Sequence, residues 1–68
     1  MKYQLQQFAE DDNLWAIRVG NLEIGTVMKV SGGYRGQLFG YLYTPGIQAT
    51  VEEAALAVWE LYQTEMEG

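Results

Sequence analysis

Apolar and polar residues alternate with period two from Leu14 to Met28, on both sides of the dipeptide Gly20-Asn21. Glycine and asparagine tolerate the positive φ angles that a tight two-residue hairpin loop requires. The pattern therefore predicts a β-hairpin with one face turned toward a core. The opposed core pairs expected in this hairpin are Val19 with Leu22, Ile17 with Ile24, and Trp15 with Thr26.

The same register places the other residues of the hairpin on the opposite, uncovered side of the sheet, the predicted open face. Arg18 then lies directly across from Glu23, and this pairing of opposite charges supports the register. The hairpin residues assigned to the open face are Leu14, Ala16, Arg18, Glu23, Gly25, Val27 and Lys29.

A shorter alternating segment, residues 2–8, predicts a first strand ahead of the hairpin. Residues 9–13 form its polar connection, a five-residue loop. Closing this loop as a hairpin adds the apolar side of the first strand to the same core face. The opposed pairs expected here are Tyr3 with Val19, Leu5 with Ile17, and Phe8 with Leu14.

A fourth strand is predicted over residues 34–43, since every residue there is apolar, aromatic or small except Arg35 and Gln37. Its facing depends on the length of the preceding loop. A two-residue loop, Gly32-Gly33, sends an aromatic set to the core: Phe39, Tyr41 and Tyr43. A three-residue loop, residues 31–33, sends a different set there: Tyr34, Leu38 and Leu42.

The three-residue loop is favoured by the positions of the glycines. Gly36 and Gly40 then lie on the core side, where they admit a closely packed helix. Phe39 lies across from Gly25 on the open face and covers the surface that a strand glycine leaves bare.

A helix is predicted after Thr44-Pro45-Gly46, a stop signal in which proline lacks the donor that a strand needs. Residues 50–53, Thr-Val-Glu-Glu, form a capping box, and the two glutamates suit the positive end of the helix dipole. Beyond the cap, apolar residues recur at helical spacing. The core stripe comprises Val51, Ala54, Ala55, Val58, Leu61 and Tyr62, flanked by Leu56 and Trp59.

These elements predict an α+β fold in a single domain of residues 1–68. The architecture is a four-stranded antiparallel β-meander with one C-terminal α-helix packed on one face (ββββα). A chain of 68 residues buries roughly 60% of its unfolded surface, which is enough for one core only.

The amino-acid composition limits the kinds of catalytic and metal-binding site that the chain can form. The chain contains no cysteine and no histidine, which removes thiolate and imidazole metal ligands and the usual neutral-pH base. Glu10, Asp11 and Asp12 lack the spacing of a calcium loop, and Gly32-Gly33 lacks the lysine and the following helix of a phosphate loop. We therefore predict a non-enzymatic protein with no cofactor and no metal.

Two chemically different surfaces are expected to carry function. The first is the open face, where all four basic residues gather with aromatic rings and Lys29 lies across from Arg35. Its partner-binding candidates are Arg18, Lys29, Arg35, Gln37, Phe39, Tyr41 and Tyr43. The second is acidic, and its candidates are Glu10, Asp11, Asp12, Glu52, Glu53 and Glu60.

One segment resembles a known family. Residues 34–40, Tyr-Arg-Gly-Gln-Leu-Phe-Gly, with the later Thr50 and Glu53-Ala54, are similar to the small sheet-plus-helix arm-binding or AP2-like domains of phage integrases. The resemblance implies a sheet face that enters the DNA major groove. The chain departs from that family in its acidity and its few arginines, and the match covers a minority of the chain, so no family is assigned.

Three functional hypotheses follow. The preferred one is an inhibitor or adaptor of the kind that phages and mobile elements encode. It binds a host protein, including a nucleic-acid-binding one, through the acidic surface or the open face. The second is nucleic-acid binding through the open face, with rings stacked on bases and cations on phosphates. The third is a structural homodimer formed through open faces or edge strands.

Net charge and hydropathy bear on the class of partner and on the location of the protein. A net charge of −5 argues against a general nucleic-acid binder, which is normally basic. No run of about 18 apolar residues and no signal-like N-terminal run occurs. We therefore expect a cytoplasmic protein with no membrane partner.

Overall fold

The computed structural model describes residues 3–38, 42–44 and 46–67. The described elements are β1 (Gln4–Phe8), β2 (Asp11–Val19), β3 (Leu22–Val30), β4 (Gly33–Leu38), β5 (Leu42–Tyr43) and α1 (Val51–Glu67). The strands form one antiparallel sheet in the order β1-β2-β3-β4-β5, and α1 packs against β3 and β4. The predicted four-stranded meander followed by a helix is confirmed, and β5 adds a short pair at its end.

The helix begins at the predicted cap residue, Thr50. The Thr50 hydroxyl accepts a hydrogen bond from the Glu53 amide at 3.1 Å, and the Thr50 carbonyl accepts one from the Ala54 amide, also at 3.1 Å. Glu52 and Glu53 occupy the first turn, where the dipole favours negative charge. Thr50 is therefore the N-cap of α1.

The core lies between α1 and one face of the sheet. Ala54, Ala55 and Val58 of the predicted stripe are fully buried there, and Trp59 and Tyr62 pack at its edge. The Trp59 ring lies 5.9 Å from the Tyr3 ring and 5.7 Å from the Tyr62 ring, measured between centroids. The fully buried apolar residues are Ile17, Ile24, Val27, Leu38, Ala54, Ala55 and Val58.

A glycine lets α1 lie directly on the sheet. A side chain at Gly36 would collide with Cγ2 of Val58 and would lie 3.1 Å from the carbonyl oxygen of Ala54. The predicted close packing of the helix on a strand glycine is therefore confirmed at Gly36. Gly40, the second glycine of that prediction, lies outside the described residues.

The first hairpin is tighter than predicted. Leu5 lies opposite Ile17 as expected, but β2 already begins at Asp11 and the register shifts between Gln7 and Phe8. Phe8 therefore lies opposite Asp11 and not opposite Leu14. Local hydrogen bonds stabilise this extension: the Asp11 carboxylate accepts from the Asn13 amide at 2.9 Å, and the Gln7 side chain donates to the Asp12 carbonyl at 2.8 Å.

A β-bulge in β3 corrects the predicted facing of the central hairpin. Arg18 lies opposite Glu23 as expected, but the next residue of β2, Ile17, lies opposite Gly25, so Ile24 is an extra residue. Ile24 and Gly25 are both directed toward α1, because Ile24 belongs to the core and a side chain at Gly25 would meet Val58. A bulge of this kind turns each side chain that follows it in the strand to the opposite face of the sheet.

Because of the bulge, Val27 occupies the core position that simple alternation assigned to Thr26. Trp15 lies opposite Val27, and the predicted Trp15–Thr26 pair is wrong. Val27, assigned to the open face by simple alternation, is fully buried. Burial of a valine instead of a threonine removes more apolar surface from water and leaves no hydroxyl without a partner, which explains the shift.

Neither of the two predicted loops precedes β4. The turn consists of Ser31 and Gly32, and Val30 lies opposite Gly33. Gly32 has a φ of 91°, a value that glycine adopts without strain. The favoured facing is nevertheless confirmed: Tyr34 and Leu38 pack on the core.

The new register separates the two cations that were expected to oppose each other. Arg35 lies across from Met28, and Lys29 lies across from Tyr34. The predicted Lys29–Arg35 pair is therefore wrong, and the like-charge repulsion that it implied does not arise at these positions.

Residues 34–43 do not form a single strand. The chain leaves β4 after Leu38 and returns as β5, which places Tyr43 opposite Gln37 and Leu42 opposite Leu38. Buried Thr44 then donates its amide to the Gly36 carbonyl at 3.1 Å. The expected end of the strand before residue 45 is confirmed, although Pro45 itself lies outside the described residues.

Candidate functional site

The outer side of α1 combines acidic residues with one exposed leucine, and we call it the acidic helix face. Glu52, Glu53 and Glu60 are exposed, and Leu56 between them keeps 41% of its surface accessible. Residues four apart on a helix are neighbours, so Leu56 lies one turn from Glu52 and one turn from Glu60. Residues 51–67 contain no lysine or arginine. This face is therefore negative around an apolar centre.

Gln7 links the acidic residues of the first turn to the start of α1. Glu10, Asp11 and Asp12 are all exposed, the last two as the first residues of β2. Gln7 donates to the Asp12 carbonyl and also lines a cavity with Glu52. Gln7 therefore connects the acidic turn with the N-terminal end of the acidic helix face, whereas Glu60 lies about two turns farther along α1.

The open face of the sheet, opposite α1, has a different composition from the predicted one. Small residues and amides form one row across four strands, from Gln6 through Ala16 and Thr26 to Gln37. A neighbouring row contains Leu14, Met28 and Arg35. Met28 keeps 38% of its surface accessible. The open face therefore presents amides, small side chains and a few apolar groups.

Among the residues that the structure describes, the open face contains fewer cations than predicted. Arg18 lies there but is engaged: its guanidinium is 4.0 Å from the Glu23 carboxylate and donates to the Asn21 carbonyl at 3.0 Å. Arg35 is exposed on this face. Lys29 lies in the row of Tyr34, on the helix side of the sheet, because the bulge in β3 reverses its facing. Lys2 lies outside the described residues.

The described residues include only part of the predicted aromatic patch. Phe39 and Tyr41 lie outside the described residues, and the backbone of Tyr43 pairs with Gln37 in the sheet. Gln37 itself is half-buried in the row of amides on the open face.

Sequence reasoning missed the exposure of Leu56. The helical periodicity assigned it to the flank of the core stripe, whereas it is among the most exposed large apolar side chains of the described residues. The signal was present in the spacing, since glutamates at positions 52, 53 and 60 surround position 56 on a helical surface.

Other types of site are not found in the described parts of the chain. No three His, Cys, Asp or Glu side chains there are grouped so that they could hold a metal ion. No helix within residues 3–38, 42–44 and 46–67 has the length and apolar character needed to cross a membrane. Comparison with models of protein families, curated proteins and solved structures finds no match to this chain.

Proposed function

We propose that this protein is a non-enzymatic interaction module that binds a partner protein through the acidic helix face. The observation that carries the proposal is the exposure of Leu56 among Glu52, Glu53 and Glu60. Protein interfaces commonly place an apolar anchor at their centre and polar groups around it. The chemistry expected of the partner is an apolar pocket bordered by lysine or arginine.

The negative charge of the acidic helix face favours basic protein partners over nucleic acid. The net charge of −5 repels nucleic acid and attracts basic protein surfaces, and helix α1 contributes acids without any compensating base. A basic protein surface that normally contacts nucleic acid has the required chemistry. The proposal therefore includes the inhibitor or adaptor of a nucleic-acid-binding host protein, of the kind that phages and mobile elements encode.

The rigid placement of α1 supports the same proposal. Its inner side is anchored by Ala54, Ala55 and Val58, which are fully buried against β3 and β4. A partner that binds the outer side does not have to order the helix, so binding costs less conformational entropy.

The test is affinity capture followed by titration of the captured protein. The wild type is immobilised beside three variants, Leu56→Ala, Glu52→Lys with Glu60→Lys, and Met28→Ala as a control of similar exposure on the open face. We expect Leu56→Ala and the double charge reversal to weaken binding by at least about tenfold, as for other interface anchors. Met28→Ala is expected to bind as the wild type does, and added salt is expected to weaken the complex.

Two results would contradict the proposal. One is equal binding by the wild type and by both helix variants. The other is binding of DNA or RNA at physiological salt that is lost on Arg35→Glu, because counterion release through a basic open face would then supply the affinity.

A further inference from the structure

The two edges of the sheet differ in how their backbone groups are satisfied. Along β4, the outer edge is covered by the chain that follows it: β5 pairs with Gln37 and Leu38, the Thr44 amide donates to the Gly36 carbonyl, and Gln48 exchanges two hydrogen bonds of 2.8 and 2.9 Å with Tyr34. This edge has no place for another strand along that stretch.

The β1 edge is not covered by any strand of the described residues. β1 pairs with β2 alone and is the first strand in the order of the sheet. Val19 and Leu22 flank the two-residue loop of the central hairpin, where a hydrogen-bonded pair is expected. Hydrogen-bonded pairs alternate along a strand. When this alternation is followed from the Val19–Leu22 pair along β2 and across to β1, the N–H and C=O groups of Leu5 and Gln7 point outward, away from β2.

The β1 edge also lacks the usual protection against pairing. Exposed edges in natural proteins carry lysines, prolines or bulges that prevent another strand from adding to the sheet. Residues 3–9, Tyr-Gln-Leu-Gln-Gln-Phe-Ala, contain no charged residue and no proline in a chain with 13 charged residues. The one register shift of β1 lies at its end, between Gln7 and Phe8.

We propose that β1 is a homodimer interface, in which two copies of this chain pair their β1 strands antiparallel about a two-fold axis at Gln6. This register overlaps β1 with the whole of its copy, since Gln6 is the middle residue of Gln4–Phe8. Leu5 of one copy then forms a hydrogen-bonded pair with Gln7 of the other, and the two Gln6 residues are directly opposed with their side chains close together.

The second copy is the occupant that the chemistry of this edge favours. A two-fold interface requires each residue on the axis to be complementary to itself. The amide of Gln6 meets this requirement because it both donates and accepts, whereas a charged side chain would repel its copy. Each copy uses its single β1 edge in this two-fold pair, so the assembly closes as a dimer instead of growing into a fibre.

Both an acidic and a basic side chain lie beside the proposed axis. An open groove of about 580 Å³ runs beside β1, and its lining includes Glu52 of α1 and Arg18 of β2, together with Tyr3, Gln4, Leu5 and Gln6. Pairing therefore brings one carboxylate and one guanidinium of each copy toward the axis, and these opposite charges offset each other. Salt is expected to change the dimer little, whereas it weakens the acidic docking proposed above.

The test uses opposite charges at position 6. The mass of the full chain is measured by sedimentation equilibrium over a range of concentrations for the wild type, Gln6→Glu, Gln6→Lys and an equimolar mixture of the two variants. We expect the wild type to dimerise, each variant alone to raise the dissociation constant about fivefold or more, and the mixture to regain a dimer. Gln63→Glu and Gln63→Lys, the same changes at an exposed helix position, are expected to leave the dimer unchanged.

Several outcomes would overturn the proposal. They are a wild type that stays monomeric at every concentration, a dimer that is indifferent to charge at Gln6, and a mixture that fails to associate when both single variants have lost the dimer. Gln6 is exposed, so both variants are expected to fold, and circular dichroism with thermal melting checks this directly.

Discussion

The two faces of the sheet are built from alternate residues of the same strands but contribute very differently to the molecule. On the face that α1 covers, Ile17, Val27 and Leu38 have at most 1% of their surface accessible. On the open face, Met28 keeps 38% accessible, and its neighbouring row consists of amides and small residues. Apolar burial stabilises the fold in proportion to the area removed from water. The covered face therefore contributes most of the apolar burial, and on the open face Ala16 alone of these rows is buried, with 5% of its surface accessible.

The largest expected effect comes from removing a core side chain beneath the helix. Ile17→Ala is expected to lower the free energy of unfolding by about 2 to 5 kcal/mol, through lost apolar transfer and the cavity left behind. Its matched control is Met28→Ala on the open face, for which a loss of about 0.5 kcal/mol or less is expected. Urea denaturation of both variants measures the difference, and similar losses at the two positions would contradict the assignment of the faces.

A smaller effect is expected where the helix touches the strand backbone. Gly36→Ala is expected to cost about 1 to 3 kcal/mol, because the new methyl group collides with Val58. In a Val58→Ala background the same change is expected to cost less, since the colliding atom has been removed. A double-mutant cycle by urea denaturation measures this coupling, and a cost at Gly36 that is independent of Val58 would show that α1 does not lie against β4 in this way.

The smallest of the three effects concerns the start of the helix that covers the core. Thr50→Ala is expected to cost about 1 kcal/mol because the Glu53 amide loses its acceptor. Thr50→Ser keeps the hydroxyl and is expected to cost much less. Both variants are compared by thermal and urea unfolding, and equal losses would mean that the hydroxyl of Thr50 does not cap α1.

Local patterns predicted the elements of this fold well. The Gly20-Asn21 turn, the Arg18–Glu23 pair, the Thr50 cap and the buried stripe of α1 depend on residues close together in the chain. Their backbone preferences and short-range contacts act whatever the rest of the molecule does, so the sequence pattern is sufficient to find them.

The candidate surfaces were predicted less completely. The exposed glutamates of α1 follow from helical periodicity, but the exposure of Leu56 depends on which residues the sheet has room to bury. The aromatic and basic open face was inferred by extending one alternation through β3. A single extra residue at Ile24 moved Lys29 to the other side of the sheet.

The sequence by itself determined four main strands, one helix, their order and the polar and apolar period of each. Only the tertiary structure decided the bulge at Ile24, the Ser31-Gly32 turn and the return of the chain as β5. A one-residue change of register costs little locally but moves every following side chain to the opposite face. That choice was settled by long-range packing, because Val27 and not Thr26 fills the space under α1, and Gly36 is the residue against which Val58 can lie.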